Sequence, residues 1–222
     1  MSESTEHIRR KIKIAKQLED THHELLLMLE SLPLSLHNNI NLPSNYPSFA
    51  LHKFVTEYIN LVPNIIDAAT QCGKETSTYE HISPFINMAE QFFIAPLSSI
   101  NHDPNSLLGL LDEAYLAHRF IEEANNQFIE RAGYPLIPVD LMRSNIIIHQ
   151  IIGEPYANEL DAIAERLSDQ ILSYESEYQS EAFAQQVRRE KSSGHWDQVW
   201  SQWPCVMANS DITLKLLYKR VN

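Results

Sequence analysis

The sequence predicts an all-α protein, built as a single multi-helix domain over residues 1–222 with largely antiparallel helices. Only five glycines occur in the chain, and most of its eleven prolines cluster between periodic stretches, so long uninterrupted elements are favoured over strands joined by tight turns. Apolar residues also recur at steps of three and four, the spacing of one face of an α-helix. We predict a central helical hairpin at about residues 107–179. Residues 180–222 are treated as a C-terminal appendage that packs on the core or on a second subunit.

The first part of the chain predicts three helices, separated by loops that contain proline. His22 lies on the apolar face of the first helix, and a loop rich in Asn, Ser and Pro follows to about residue 48. Pro63 is expected to kink the second helix, and Pro84 suits the first position of the third. These helices are predicted at about residues 5–32, 49–71 and 83–95.

The strongest periodicity begins at Leu107 and ends at Ala132. Its inner face is formed by Leu107, Leu111, Ala114, His118, Ile121, Asn125, Phe128 and Ala132. His118 and Asn125 stand where leucine would be expected, and a buried polar group without a partner costs about 1 to 3 kcal/mol. We therefore expect polar side chains from another segment to meet them.

The second arm of the predicted hairpin supplies such side chains. Helical spacing resumes near Leu141 and is broken or kinked at residues 153–155 before it continues toward residue 179. Antiparallel neighbours pair positions at equal distance from their turn, which sets His149 level with Glu122 and Glu154 level with His118. The predicted polar layer, which is also the candidate ligand-binding set, consists of His118, Glu122, Asn125, Asn145, His149 and Glu154.

Three interpretations of this layer stay open. It is a hydrogen-bonded layer that fixes helix register, a pocket for a small ligand, or a metal site. The metal candidates are His118, Glu122 and His149, with His22 as a further ligand, because imidazole and carboxylate suit Zn, Fe or Mn. A ferritin-like di-iron centre would need a second Glu-x-x-His besides the one that ends at His22, and the sequence lacks it. In size, helical content and a histidine in the first helix, the chain resembles haem-oxygenase-like folds in architecture alone.

The C-terminal part carries two further expectations. Trp196, Trp200 and Trp203 are spaced four and three apart, which predicts an aromatic stripe in the core or at a subunit interface. For residues 211–221 the alternation of apolar residues is typical of a strand, but Ser210 is a suitable helix cap. We choose the helix.

Composition limits the classes of function. The net charge of −12 repels phosphate backbones and anionic membrane surfaces, which argues against nucleic acid or a membrane as the partner. Two cysteines far apart in the sequence, together with an N-terminal segment that lacks an apolar run, predict a cytoplasmic protein. No phosphate-binding loop or nucleophile elbow occurs in the sequence.

Two functions from different classes follow. The first is a cytoplasmic, homodimeric binding or interaction protein that has no catalytic chemistry of its own and needs no cofactor, with a small molecule or a protein as its partner. The alternative is a metal- or haem-dependent enzyme whose site lies inside the helical bundle. Bound metal or a haem absorption band in the purified protein would favour the enzyme.

Overall fold

The chain is all-α, as the sequence predicts. A computed structural model describes residues 3–32, 36, 38–75, 79–95, 102–132, 137, 139–174 and 211–215, with isolated positions at 185, 188–189, 192 and 194. Its helices are α1 (Glu3–His22), α2 (Glu24–Glu30), α3 (Pro47–Glu75), α4 (Tyr79–Ile94), α5 (Leu107–Ala132), α6 (Met142–Ile152) and α7 (Tyr156–Tyr174). Two short strands, β1 (Ile40–Asn41) and β2 (Thr213–Leu214), pair with each other. None of the helices in these ranges is long and apolar enough to cross a membrane.

Helix α5 is the central element of the bundle, and its bounds are those that the sequence predicts. It packs against α1, α2, α3, α4, α6 and α7. The inner-face residues from Leu107 to Phe128 are all buried. The N-terminus of α5 also packs closely on the preceding turn, since a Cβ atom at Gly109 would collide with the main chain of Asp103.

Helix α6 runs antiparallel to α5, as predicted for the two arms of the hairpin. Asn125 contacts Ile137 near one end of the pair, and the earlier residue Glu122 contacts the later residue Asn145. The order of contacts is therefore opposite in the two segments.

Helix α7 does not extend the arm that α6 begins. The chain reverses after Gly153, whose φ of 83° is readily adopted only by glycine. Asp112 then contacts Tyr156, and Gln127 contacts Asp169, so α7 runs parallel to α5. The central unit is thus three helices running up, down and up, because the break predicted at residues 153–155 reverses the chain rather than bending it.

The first predicted helix is interrupted. His23 has a φ of 54°, in the left-handed region, and separates α1 from α2. The buried carboxylate of Glu19 accepts hydrogen bonds of 2.9 Å from the main-chain N–H groups of Leu25 and Leu26. These bonds satisfy free donors at the start of α2 and offset the cost of the left-handed residue. The prediction of one continuous helix over residues 5–32 is therefore wrong at His23.

Two prolines lie inside helices. Pro63 is within α3, and Pro84 is within α4, which begins at Tyr79 rather than near Ser83. The start predicted at Ser83 is therefore wrong: its hydroxyl donates to the carbonyl oxygen of Glu80, a bond within the first turn of a helix that is already under way.

The helix predicted for residues 211–221 is wrong over its described part. Residues 213 and 214 form β2, antiparallel to β1, with Leu214 opposite Ile40. Ile212 is buried while Thr213 is exposed, as expected of a strand. The alternation of apolar residues was therefore the correct signal here, and the suitability of Ser210 as a helix cap was misleading. Trp196, Trp200 and Trp203, and with them the predicted interface and most of the predicted appendage, lie outside the described residues.

Candidate functional site

A cleft of about 410 Å³ opens between α5, α6 and α7. Its volume falls within the range of about 300 to 1,000 Å³ that is common for ligand sites. The residues that line it are Tyr115, Arg119 and Glu122 from α5, Met142, Asn145, Ile146, His149 and Gln150 from α6, and Asp161 from α7. Three helices therefore contribute side chains to a single concave surface.

The floor of the cleft is an ion-paired network centred on Arg119. Its Nε donates to Oδ1 of Asp161 over 2.8 Å, and its Nη1 donates to Oε2 of Glu122 over 2.6 Å. Burial alone would lower the pKa of Arg119, but the two carboxylates outweigh it and raise the pKa above its ordinary value. The guanidinium is thus permanently charged and held by two helices.

Tyr115 strengthens the connection between α5 and α7. Its hydroxyl donates to the same Oδ1 atom of Asp161 over 2.8 Å. Burial, together with this hydrogen bond and the negative charge of Asp161, raises the pKa of Tyr115 above its ordinary value. Tyr115 is therefore a neutral hydrogen-bond donor that fixes the position of Asp161.

Asn145 joins the cleft to the core. Its Nδ2 donates to Oε2 of Glu122 over 2.5 Å, and its Oδ1 accepts a 2.6 Å hydrogen bond from the hydroxyl of the fully buried Tyr58. Both ends of the amide are used, so its orientation is fixed by two helices, α3 and α5. The position of Glu122 is fixed in turn.

The carboxylates of the cleft outnumber its arginine by two to one. Both hydrogen bonds that Glu122 accepts end on Oε2, which leaves its Oε1 without a partner among the described residues. Oδ2 of Asp161 lies 3.5 Å from Nε2 of His149, and the same imidazole nitrogen lies 3.1 Å from Oδ1 of Asn158. Arg119 is the only lysine or arginine among the residues that line the cleft, so one of its two carboxylates is not balanced by a permanent cation.

Apolar side chains form the rim of the cleft. Met142 is 53% exposed and Ile146 is 38% exposed, and both belong to the outer face of α6. Side chains of this kind beside a charged floor are typical of protein interfaces, in which methionine, tyrosine and arginine are enriched.

The structure brings together three members of the predicted polar layer. Glu122, Asn145 and His149 all line the cleft. Their register differs from the prediction by one helical turn, because Asn145, and not His149, contacts Glu122. Helix α6 begins only at Met142, and the residues directly before it, 139–141, are not helical, which shifts the pairing. Glu154 is exposed in the turn after α6 and does not reach His118.

Asn125 meets main chain instead of a side chain. Its Nδ2 donates to the carbonyl oxygen of Ile137 over 2.7 Å, and its Oδ1 accepts from the N–H of Ile137 over 2.8 Å. Both residues are buried. Asn125 therefore holds the connector between α5 and α6 in place and is not part of the cleft.

His118 is buried as predicted, but it lacks the polar partner that we expected. Neither imidazole nitrogen has a hydrogen bond to any residue that the structure describes. The ring packs edge-on against Tyr58, with ring centroids 4.2 Å apart. Burial lowers the pKa of His118 to about 3, so the ring is neutral. It acts as an aromatic core residue.

The candidate metal ligands do not converge. His118 is in the core, His149 lines the cleft, and His22 is exposed at the end of α1. Over the described ranges, no group of three His, Cys, Asp or Glu side chains is arranged to hold a metal ion. Glu19, which begins the Glu-x-x-His sequence, binds the N-terminus of α2 and lies 3.2 Å from His52.

Sequence reasoning missed Arg119, Tyr115 and Asp161. Tyr115 and Arg119 share a helix face with Glu122, at spacings of four and three residues, so this side of the cleft was accessible to a pattern search. Asp161 could not be assigned, because its place beside Arg119 depends on the chain reversal at Gly153.

Comparisons with known proteins identify no relative. No family model matches the chain, and neither a curated protein nor a solved structure matches it. The function has to be inferred from the chemistry of the cleft.

Proposed function

We propose that the protein is a non-catalytic, cytoplasmic interaction protein whose cleft between α5, α6 and α7 receives a basic side chain of a partner polypeptide. The observation that carries the proposal is that Glu122 and Asp161 share a single cation, Arg119. One negative charge in a partly buried site attracts a lysine or arginine side chain more strongly than it would in water.

Exposure of the rim favours a polypeptide over a small molecule. Met142 and Ile146 are each more than one third exposed, so apolar surface continues beyond the cleft onto the outer face of α6. A peptide that places a basic side chain on the floor would cover both with its apolar neighbours, which is the arrangement of an apolar anchor beside a charged contact.

The alternative of a metal- or haem-dependent enzyme receives no support from the geometry. It requires His118, Glu122 and His149 to face one space, whereas the ring of His118 packs on Tyr58 and Glu122 is held by Arg119 and Asn145. We therefore propose the interaction protein and not the enzyme.

A pair of peptides tests the proposal. One is acetyl-Gly-Leu-Lys-Leu-Gly amide, and the other replaces lysine with norleucine, which keeps the chain length and removes the charge. We expect the lysine peptide to shift the NMR signals of Ile146 and Met142 saturably, and the norleucine peptide to bind at least tenfold more weakly. Equal binding of the two peptides, or no binding at millimolar concentration, would contradict the proposal.

Two variants on α7 control for charge and locate the site. Asp161→Asn removes one of the two carboxylates of the cleft and should weaken binding of the lysine peptide at least fivefold. Asp169→Asn makes the same change at an exposed position on α7, where the carboxylate accepts a hydrogen bond from Gln127, and should leave affinity unchanged. Glu122→Gln removes the other carboxylate of the cleft and should weaken the same peptide. If all three variants bind like the native protein, the peptide binds elsewhere.

A further inference from the structure

A second pocket, of about 260 Å³, lies near the other end of α5, where α2 and α6 approach it. Five of its lining side chains are apolar: Met28, Leu108, Leu111, Ile151 and Ile152. The remaining lining residues are His102, Asp112 and Tyr156. The pocket shares no lining residue with the cleft and is smaller than the common range for drug-sized ligands, about 300 to 1,000 Å³.

Asp112 is the acidic group of this pocket, and His102, which also lines the pocket, is the basic group whose charge acts on it. Within the described ranges it forms no ion pair with lysine or arginine, and its one hydrogen bond is a 3.3 Å contact from the hydroxyl of Tyr156. That distance is long, since O–H···O bonds are usually about 2.5 to 3.0 Å. The carboxylate is therefore available to a stronger donor.

Burial of Asp112 makes its charged form unfavourable unless a positive charge lies close to it. Burial raises the pKa of Asp112 to about 6, against the opposing effects of His102 and of the hydrogen bond from Tyr156. Glu113, the next residue on α5, is a second buried carboxyl, and burial together with the charge of Asp112 raises its pKa to about 7. A positive charge placed in the pocket would pair with a carboxylate that forms no ion pair with a lysine or arginine of the described residues.

We propose that this pocket binds a small organic ammonium ion that carries an apolar substituent, with the ammonium group on Asp112 and the substituent against the leucine and isoleucine side chains. Charge complementarity selects the ammonium group, because burying the carboxylate without a cation is costly. The apolar walls select the substituent, at about 25 cal/mol per Å² of apolar surface removed from water. The volume restricts the ligand to a body of roughly the size of one aromatic ring.

Benzylammonium is the probe, and benzyl alcohol is its neutral counterpart of similar shape. Binding is followed through the methyl NMR signals of Leu111 and Ile151 in the pocket, with Ile146 as a reporter of the separate cleft. We expect benzylammonium to shift the pocket methyl groups saturably and benzyl alcohol to bind at least tenfold more weakly. Equal binding of the two, or no shift at millimolar concentration, would overturn the proposal.

The role of the carboxylate is tested by substitution and by pH. Asp112→Asn should weaken benzylammonium at least tenfold, whereas Asp161→Asn, in the cleft, should leave the pocket signals unchanged. In the native protein the affinity should be about fourfold lower at pH 5.5 than at pH 7.5, because a carboxyl with a pKa of about 6 is then largely protonated. Undiminished affinity in Asp112→Asn, or an affinity independent of pH in the native protein, would overturn the assignment. Neither outcome bears on the peptide experiment.

Discussion

The imidazole of His118 packs edge-on against the ring of Tyr58, with their centroids 4.2 Å apart, and Tyr58 then donates its hydroxyl proton to Asn145. His118 therefore supports the cleft through packing, because it holds the tyrosine that orients the amide beside Glu122. This buried imidazole has no hydrogen bond to any described residue, which costs free energy, and its burial in the neutral form makes the stability depend on pH.

His118→Leu should make the protein more resistant to acid. The pKa of His118 is about 3 in the folded state and near 6.5 in the unfolded chain, so between these values only the unfolded chain binds the proton. Through His118, the free energy of unfolding is therefore lower by about 2 kcal/mol at pH 5 than at pH 8. Leucine cannot take up a proton and breaks no hydrogen bond to a described residue, so it should remove this difference. Urea unfolding at pH 5 and at pH 8 measures it. His22→Leu, at an exposed position, is the control, and an equal pH response in native protein and His118→Leu would refute the assignment.

Glu113→Gln should make the protein more stable at high pH, whereas His118→Leu should do so at low pH. Glu113 is buried, its Oε2 has no hydrogen-bond partner in the described chain, and burial raises its pKa to about 7. The folded state therefore holds a proton that the unfolded chain releases between about pH 4.5 and 7, so its contribution to stability is lost as the pH rises. Glutamine does not titrate, so we expect the free energy of unfolding of Glu113→Gln, measured relative to that of the native protein, to rise by about 2 kcal/mol from pH 5 to pH 8. The exposed Glu130→Gln should show no such gain, and a gain at pH 5 alone would contradict the sign.

Asn125→Ala should destabilise the fold by about 2 to 3 kcal/mol, because it removes two hydrogen bonds and leaves the buried N–H and carbonyl of Ile137 without a side-chain partner. The exposed neighbour Asn126→Ala should change the free energy of unfolding by less than about 0.5 kcal/mol. Urea denaturation of both variants provides the comparison. Similar losses would show that the amide of Asn125 does not hold the connector.

The sequence predicts α5 well because strong local signals mark its ends and its inner face. Asp103 and Pro104 precede the helix, and its inner face keeps one spacing from Leu107 to Phe128. The break at His23 has no such signal, since no glycine or proline occurs there. It depends on a contact over six residues, in which the carboxylate of Glu19 accepts a hydrogen bond from the main-chain N–H of Leu25.

The candidate site is predictable in part for the same reason. Glu122, Asn145 and His149 belong to two helices joined by one connector, so counting from the turn brings them together with an error of one helical turn. Asp161 enters only when the chain reverses at Gly153 and α7 returns beside α5. For His118 the pattern predicts burial correctly, but the predicted polar partner is wrong. The imidazole packs against the ring of Tyr58 instead and forms no hydrogen bond to a described residue.

The most direct measurement is a double-mutant cycle between Asp161 and the lysine of the peptide. Calorimetry gives the affinities of native protein and Asp161→Asn for the lysine peptide and for its norleucine counterpart. The account predicts a coupling free energy of at least about 1 kcal/mol, because the carboxylate and the ammonium meet in a partly buried site. It further predicts that this coupling weakens in high salt. Strictly additive effects, with a coupling near zero, would show that the charge of the cleft does not recognise the basic side chain and would contradict the proposed function.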